Sequence, residues 1–109
     1  MSDRTARIRA LNDALRVDGR GGRIMVTQGI LAHGEAWLLQ AIGAMRHQTE
    51  FSDDNDPYGE RDFGSVDVDG EVIFWKIDYY DLTLAAGSAD PADPTVTTRV
   101  LTLMLADEY

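Results

Sequence analysis

The sequence contains no cysteine, and this absence excludes several kinds of site. Disulfides, thiolate zinc sites, iron–sulfur clusters and cysteine nucleophiles all need a thiol. No apolar run approaches the roughly 18–20 residues that a membrane-spanning helix requires, and the N-terminus lacks the apolar core of a signal peptide. We therefore expect a cytoplasmic protein with no cofactor and no membrane partner.

Basic residues are also scarce. Ten Lys and Arg stand against nineteen Asp and Glu, which gives a net charge of −9. Residues 1–48 contain seven of the basic residues and four of the acidic ones, whereas residues 49–109 contain three and fifteen. This asymmetry predicts a front half that attracts an acidic back half. The net charge of −9 predicts no direct binding of nucleic acid, because a negative protein repels the phosphates.

The 109 residues, 44% of them hydrophobic, predict one α+β domain over residues 1–109. Ile8, Leu11 and Leu15 recur at helical spacing and predict a helix over residues 3–17. The chain then continues with a short predicted strand over residues 23–27, which Gln28-Gly29 interrupts. A second helix is predicted from about Leu31 or Gly34 to His47. The expected order is α-β-α-β-β-β, with two helices packed on a small antiparallel or mixed sheet.

The strongest local pattern is a hairpin. Asp69-Gly70 separates two β-rich runs, residues 63–68 and 71–80, and Asp-Gly favours the tight turn that joins antiparallel strands. The turn sets Gly64 opposite Trp75, where the glycine leaves room for the indole on the core face. Residues 97–106 alternate Leu with Val, Thr and Met. We expect a strand buried on both faces, although the pattern alone leaves a helix open.

An acidic loop over residues 50–62 is the first candidate for chemistry, because its carboxylates could hold a hard cation. The EF-hand pattern started at Asp54 matches Asp56 and Gly59. It fails at Ser65, where a bidentate glutamate is required. We therefore expect a solvated, turn-forming loop and no metal site.

The second hairpin strand is the other candidate, since alternation places Lys76, Asp78 and Tyr80 in a row on one face. Metal-dependent nucleases of the Asp…Asp/Glu-x-Lys type carry an acid two residues before the lysine, and here that position is Phe74. A salt bridge of Lys76 to a neighbouring acid such as Asp78 is the simpler interpretation. For an enzyme, the catalytic candidates would be Glu60, Asp62, Lys76, Asp78 and Tyr80, with a divalent ion or the lysine neutralising developing charge.

Several stretches of the chain are distinctive. One reads Asn-Asp-Pro-Tyr-Gly-Glu-Arg-Asp-Phe-Gly over residues 55–64, and others cover residues 74–81, 88–94 and 98–109. With Asn12-Asp13-x-x-Arg16 and Thr27-Gln28-Gly29-Ile30, they resemble the bacterial family known as domain of unknown function 3768. The resemblance implies a small, soluble bacterial protein, often encoded on plasmids or other mobile DNA, and it carries no established activity.

The chain departs from that family at one position. Relatives commonly read Gly-Glu-His-Asp-Phe-Gly, and here Arg61 takes the place of the histidine. The resemblance therefore implies that a metal or acid–base role of that histidine is absent or altered. Charged residues inside the family's motifs suggest ion pairing, since a buried charge is costly when unpaired. We predict that Arg16, Arg99 and Lys76 pair with acidic groups inside or at the edge of the fold.

Two functions compete. A small acidic protein on mobile DNA could bind a basic protein surface, for example by inhibiting a nucleic-acid-binding or defence protein. Its contact would use the acids expected to be most exposed, namely Asp53, Asp54, Asp56, Glu60, Asp90 and Asp93. The alternative is a small metal-assisted enzyme at the acidic loop and hairpin. A concave pocket with converging carboxylates would favour the enzyme, whereas a flat acidic face would favour the binding protein. The sequence leaves open whether the protein is a monomer or a homodimer.

Overall fold

The computed structural model describes residues 2–109, which begin with helix α1 (Asp3–Asp18). The helix starts where the Ser2 hydroxyl accepts a hydrogen bond from the backbone N–H of Thr5 at 3.0 Å. It ends at Gly19, whose positive φ of 71° suits a residue without a side chain. Both ends therefore follow from short-range sequence signals.

Strand β1 (Gly22–Val26) is followed by two helices, α2 (Gln28–Leu31) and α3 (Glu35–His47), where one was predicted. The expected interruption at Gln28-Gly29 is instead the start of α2. A distant residue stabilises this first turn, because the Glu108 carboxylate accepts hydrogen bonds from the Gly29 N–H and the Thr27 hydroxyl. Within residues 2–109, no helix combines the length and apolar character needed to cross a membrane.

The remaining regular elements are strands β2 (Phe63–Val68), β3 (Glu71–Tyr80) and β4 (Thr98–Leu105), and a 3₁₀ turn (Ala106–Glu108). The four strands form one mixed sheet in the order β1-β4-β3-β2. β1 runs parallel to β4, and the other neighbours are antiparallel. The α+β prediction is confirmed, and the last long element is a strand rather than a helix.

The hairpin forms as predicted. Asp69 and Gly70 both have positive φ, 52° and 83°, as the two-residue turn requires. Gly64 pairs with Trp75, whose side chain is fully buried. A Cβ atom at position 64 would collide with the indole, so the glycine makes the space that the tryptophan fills.

The helices cover one face of the sheet and share a single core with it. The fully buried side chains of this core include Leu15, Ile30, Met45, Ile73, Trp75, Leu101 and Leu103. The opposite face is more open: Met25 is 54% exposed, and Val100 and Thr102 are half-buried. The expectation that β4 is buried on both faces holds only in part. Met104 on the open face is buried, but Val100 and Thr102 are only half-buried there, because the helices pack against the other face.

A buried polar network ties α1 to the sheet. Asn12, fully buried, donates to the Tyr79 hydroxyl at 2.8 Å and to the Glu60 carbonyl at 3.0 Å, while its own carbonyl accepts from Arg99 Nε at 2.8 Å. The Tyr79 hydroxyl donates to the Glu60 carboxylate at 2.8 Å. Burial, and this bond to Glu60, raise the pKa of Tyr79 above its usual range.

The ion-pair prediction is correct for two of three residues. Arg16 lies 3.4 Å from Asp13, and Lys76 lies 3.1 Å from Asp78. It is wrong for Arg99, which is 2% exposed and binds the Asn12 amide and the Pro91 carbonyl, with no acid within ion-pair distance among residues 2–109. Neutral acceptors bind its N–H groups and the Glu60 carboxylate acts on its charge from beyond ion-pair distance, a solution that charge counting does not anticipate.

Candidate functional site

A groove opens at the β2 edge of the sheet, between the acidic loop and the start of the hairpin. Its volume is about 590 Å³. Strands β2 and β3 form one wall and the loop forms the other. The side chains that give it chemical character are Asp54, Tyr58, Asp62, Phe63, Lys76, Asp78 and Tyr109.

The loop is folded on itself rather than loosely solvated. The Asn55 side chain accepts from the Ser52 N–H at 2.7 Å and donates to the Glu50 carbonyl at 3.1 Å. The Asp56 carboxylate accepts from the Arg61 N–H at 3.0 Å, and this residue is 6% exposed. The expected exposure of Asp56 is therefore wrong, because its carboxylate is used to close the turn.

Asp62 is anchored to the sheet by its backbone, since its carbonyl accepts from the Ile77 N–H at 2.7 Å. Its side chain lines the groove and receives no hydrogen bond or ion pair from any other residue in 2–109. Desolvation, and behind it the neighbouring carboxylates of Glu60, Asp56 and Asp78, raise the pKa of Asp62. Within the described residues, Asp62 therefore has no ion-pair partner, whereas the neighbouring Asp78 is paired with Lys76.

Aromatic rings form the rest of the groove. Tyr109 lies 5.6 Å from the ring centres of Phe63 and Phe74, close to perpendicular to both. Tyr58 stands on the loop side and is 77% exposed. The sequence reasoning missed both tyrosines. Both lie inside distinctive stretches, residues 55–64 and 98–109, but nothing in those stretches marked either tyrosine as part of a site.

The structure brings together only part of the predicted catalytic set. Asp62, Lys76 and Asp78 line the groove. Glu60 lies in the polar network instead, with its carboxylate held by the Tyr79 hydroxyl. Tyr80 lies at the end of β3, where it pairs with Thr98 of β4 and does not line the groove.

The predicted binding acids are divided between two parts of the surface. Asp54 is exposed beside the groove, and the exposed Asp53 lines a neighbouring cleft of about 370 Å³. Asp90 and Asp93, in the loop before β4, are partly buried. Asp90 lies 3.2 Å from Arg4, and hydrogen bonds from the Thr95 hydroxyl and N–H lower the pKa of Asp93. These two acids shape their own loop.

Arg61 connects the acidic loop to α1. Its guanidinium lies 3.0 Å from Asp13 and 4.8 Å from the centre of the Phe51 ring. Its backbone has a positive φ of 53°, uncommon for a residue with a side chain. The arginine thus holds the loop in place and lies outside the groove lining.

The carboxylates of the groove come from two elements: Asp54 and Asp62 from the acidic loop, and Asp78 from β3. Across residues 2–109, no three His, Asp or Glu side chains approach one another closely enough to hold a metal ion together. The groove is thus a row of spaced acceptors with aromatic walls. Such a surface can bind a cationic group by charge, hydrogen bonds and ring contact.

The fold and the groove define a class: a small two-layer α+β protein with helices on one face of a mixed four-stranded sheet and an acidic groove at its edge. The chain belongs to the family described as Protein of unknown function (DUF3768), whose family model matches residues 26–108. No curated protein and no solved structure matches the chain. The matched region contains six of the seven groove side chains named above and stops one residue before Tyr109.

Asp62→Asn is expected to make the protein more stable at about pH 7. The raised pKa means that folding disfavours the charged carboxylate, so the native state loses stability as the pH rises through the folded pKa, and the amide avoids this loss. The advantage should shrink as the pH falls through the folded pKa and vanish below the ordinary aspartate pKa, where the wild-type side chain is protonated in both states. Urea unfolding of both proteins across this pH range measures the effect; equal stability at neutral pH would contradict it.

Proposed function

We propose that this protein is an interaction module that binds a basic surface of a protein partner through its β2 edge. The term acidic edge is used for the acids that lie along this side of the sheet: Glu50, Asp53, Asp54, Asp62, Asp67 and Asp69. They come from the acidic loop, from β2 and from the hairpin turn.

The observation that carries the proposal is the arrangement of charge across the sheet. β2 is one edge strand and β1 is the other. Arg20 and Arg23 lie at the β1 edge, and both are exposed. Adjacent strands are about 4.8 Å apart, so the two edges are separated by roughly 14 Å across three strand spacings. The strand order thus converts the charge asymmetry of the sequence into an asymmetry in space.

An acidic edge of this kind attracts a basic partner before contact and orients it. Surfaces that normally face nucleic-acid phosphates carry the required arginines and lysines. We therefore propose that the partner is a nucleic-acid-binding or defence protein. We also propose that the protein is encoded on a bacterial mobile element and acts in the cytoplasm. The family resemblance supports this refinement, and the acidic edge supports the charge of the partner.

Neutralising the exposed part of the acidic edge is expected to slow association with a basic partner. The variant Glu50→Gln/Asp53→Asn/Asp54→Asn removes three charges and spares Asp56, whose carboxylate closes the loop. With an arginine-rich peptide as the probe, we expect the association rate at low salt to fall about tenfold and its salt dependence to flatten. Stopped-flow mixing at several ionic strengths measures both quantities.

The matched control removes three charges elsewhere, as Asp3→Asn/Asp18→Asn/Asp107→Asn, from exposed positions outside the acidic edge. Both triple variants have the same net charge, so a difference between them reports the location of the contact. Equal association rates for the two variants would show that only total charge matters, and the acidic edge would then be abandoned as the interface.

The groove itself favours a second candidate, a small metal-assisted enzyme. Desolvation raises the pKa of Asp62 while Asp78 is paired with Lys76, and two carboxylates in different environments can serve as acid and base. Mg²⁺ or Mn²⁺ would then raise the thermal midpoint of the wild type, and Asp62→Asn would remove this rise. That result would favour the enzyme over the interaction module.

A further inference from the structure

In the described part of the chain, the Asp62 carboxylate has no cationic partner, and its own backbone N–H is the donor that it meets. It is partly buried in the groove wall, and no other residue in 2–109 donates a hydrogen bond to it. Its neighbour Asp78 is paired with Lys76, the one cationic side chain of the groove lining. A partly desolvated carboxylate without a partner costs stability, and a ligand that supplies positive charge would offset this cost.

The walls of the groove specify more than charge. Phe63, Phe74 and Tyr109 form one aromatic cluster, with Tyr109 itself 73% exposed at its rim. Tyr58 is exposed on the opposite, loop side of the same groove. Two accessible rings in the same groove as a carboxylate without an ion-pair partner are typical of a site for a flat cation, which can contact ring faces while it donates hydrogen bonds.

We propose that the groove binds the guanidinium group of an arginine side chain, with Asp62 as the primary acceptor and Tyr58 and Tyr109 as its aromatic walls. The inference rests on the proposed function, because it identifies one residue of the basic partner. A guanidinium is planar and always charged, and its N–H groups match a carboxylate in two parallel bonds. The volume of about 590 Å³ leaves room for the side chain that carries it.

Arginine fits this site better than lysine or a metal ion. An ammonium is compact and strongly hydrated, and it makes no planar contact with a ring. A divalent ion needs several oxygens around one point, whereas the groove carboxylates lie on separate elements. Phe63 and Ile77 also line the groove, and these apolar side chains suit the methylene stem of arginine.

A small probe tests the site without any protein partner. N-acetyl-L-arginine methylamide would be titrated into the ¹⁵N-labelled protein, with the neutral citrulline and the lysine analogues as controls. We expect saturable amide shifts at Asp62, Tyr58 and Tyr109 for arginine, weaker binding for lysine and none for citrulline. Equal shifts with citrulline, or shifts confined to residues outside the groove, would overturn the proposal; shifts with Mg²⁺ but not arginine would indicate a cation site instead.

Two variants give opposite expected signs. Asp62→Asn should lower the affinity for the arginine probe about tenfold, which is the contribution of one charge-assisted hydrogen bond. Lys76→Met should strengthen it, because Asp78 then loses its internal cation. Asp3→Asn, which changes an exposed acid outside both the groove lining and the acidic edge, is the control and should leave the affinity unchanged. Equal affinities for all three variants would refute the site.

The outcomes separate this proposal from the broader one. If the arginine probe fails while the acidic-edge variant still slows association with the basic peptide, the interaction module stands and the groove is not its arginine site. If the probe binds as expected and the acidic-edge variant matches its control, the groove recognises arginine without steering by the edge. Concentration-dependent dimerisation in sedimentation that Asp62→Asn abolishes would identify the arginine donor as a second copy, overturning the partner assignment.

Discussion

Replacing Arg99 with methionine is expected to lower the free energy of unfolding by about 3–5 kcal/mol. The side chain is 2% exposed, and its guanidinium lies 5.2 Å from the centre of the Tyr79 ring. Removing it leaves the Asn12 carbonyl and the Pro91 carbonyl without their donor inside the protein. Orphaned buried acceptors account for the size of the effect, since hydrogen bonds to a charged group contribute about 1.5–3 kcal/mol each.

Urea unfolding at neutral pH measures this loss. Arg99→Lys is the matched control: it keeps the charge but cannot reach both acceptors in the same geometry, so we expect a smaller loss. Arg4→Met is a second control, because Arg4 pairs with Asp90 on the surface and surface pairs contribute about 0–1 kcal/mol. A loss below about 1 kcal/mol for Arg99→Met would show that the network is not important for stability.

Trp75→Ala is expected to destabilise the protein by about 3–5 kcal/mol, the usual range for a large buried aromatic side chain. The indole is fully buried, its N–H donates to the Gln48 side chain at 2.9 Å, and its ring meets Phe51 edge-on at 6.3 Å. The substitution therefore creates a cavity and leaves an acceptor unpaired. A change below about 1 kcal/mol, measured by urea or thermal unfolding, would show that the indole is not part of the core.

Gly64→Ala provides the coupled test. In the wild type the new methyl group would collide with the indole, so we expect a loss of about 1–3 kcal/mol from overpacking. In the Trp75→Ala background the space is empty, and the same change should cost less than about 0.5 kcal/mol. Additive losses in the double variant would contradict the direct packing of residue 75 against residue 64.

The hairpin could be predicted from sequence because its information is local. Asp69-Gly70 sets the turn, and the turn sets every pair between β2 and β3, including Gly64 with Trp75. Helix α1 was likewise predictable from its capping serine and terminal glycine. In each case the residues that determine the structure are within a few positions of the structure they determine.

The site could be predicted only in part, because it depends on contacts between distant residues. Asp62, Lys76 and Asp78 were recognised as candidates, since they sit on or next to the hairpin. Glu60 lies two positions before Asp62 but is held in the polar network beside α1. The Tyr79 hydroxyl donates to its carboxylate, and the Asn12 amide donates to its backbone carbonyl. No pattern within residues 50–62 contains that information, and none places Tyr109 against Phe63.

Strand β4 lies between β1 and β3, although it is the last strand in the chain. A ribosome releases the chain from its N-terminus, so β1 emerges early and has no strand neighbour until residues 98–105 follow. Parallel pairing between such distant segments is a slow kind of contact to form. The same late strand carries Arg99, so the burial of its charge and the completion of the sheet are one event. Folding of the sheet during synthesis therefore cannot be completed until β4 has left the ribosome.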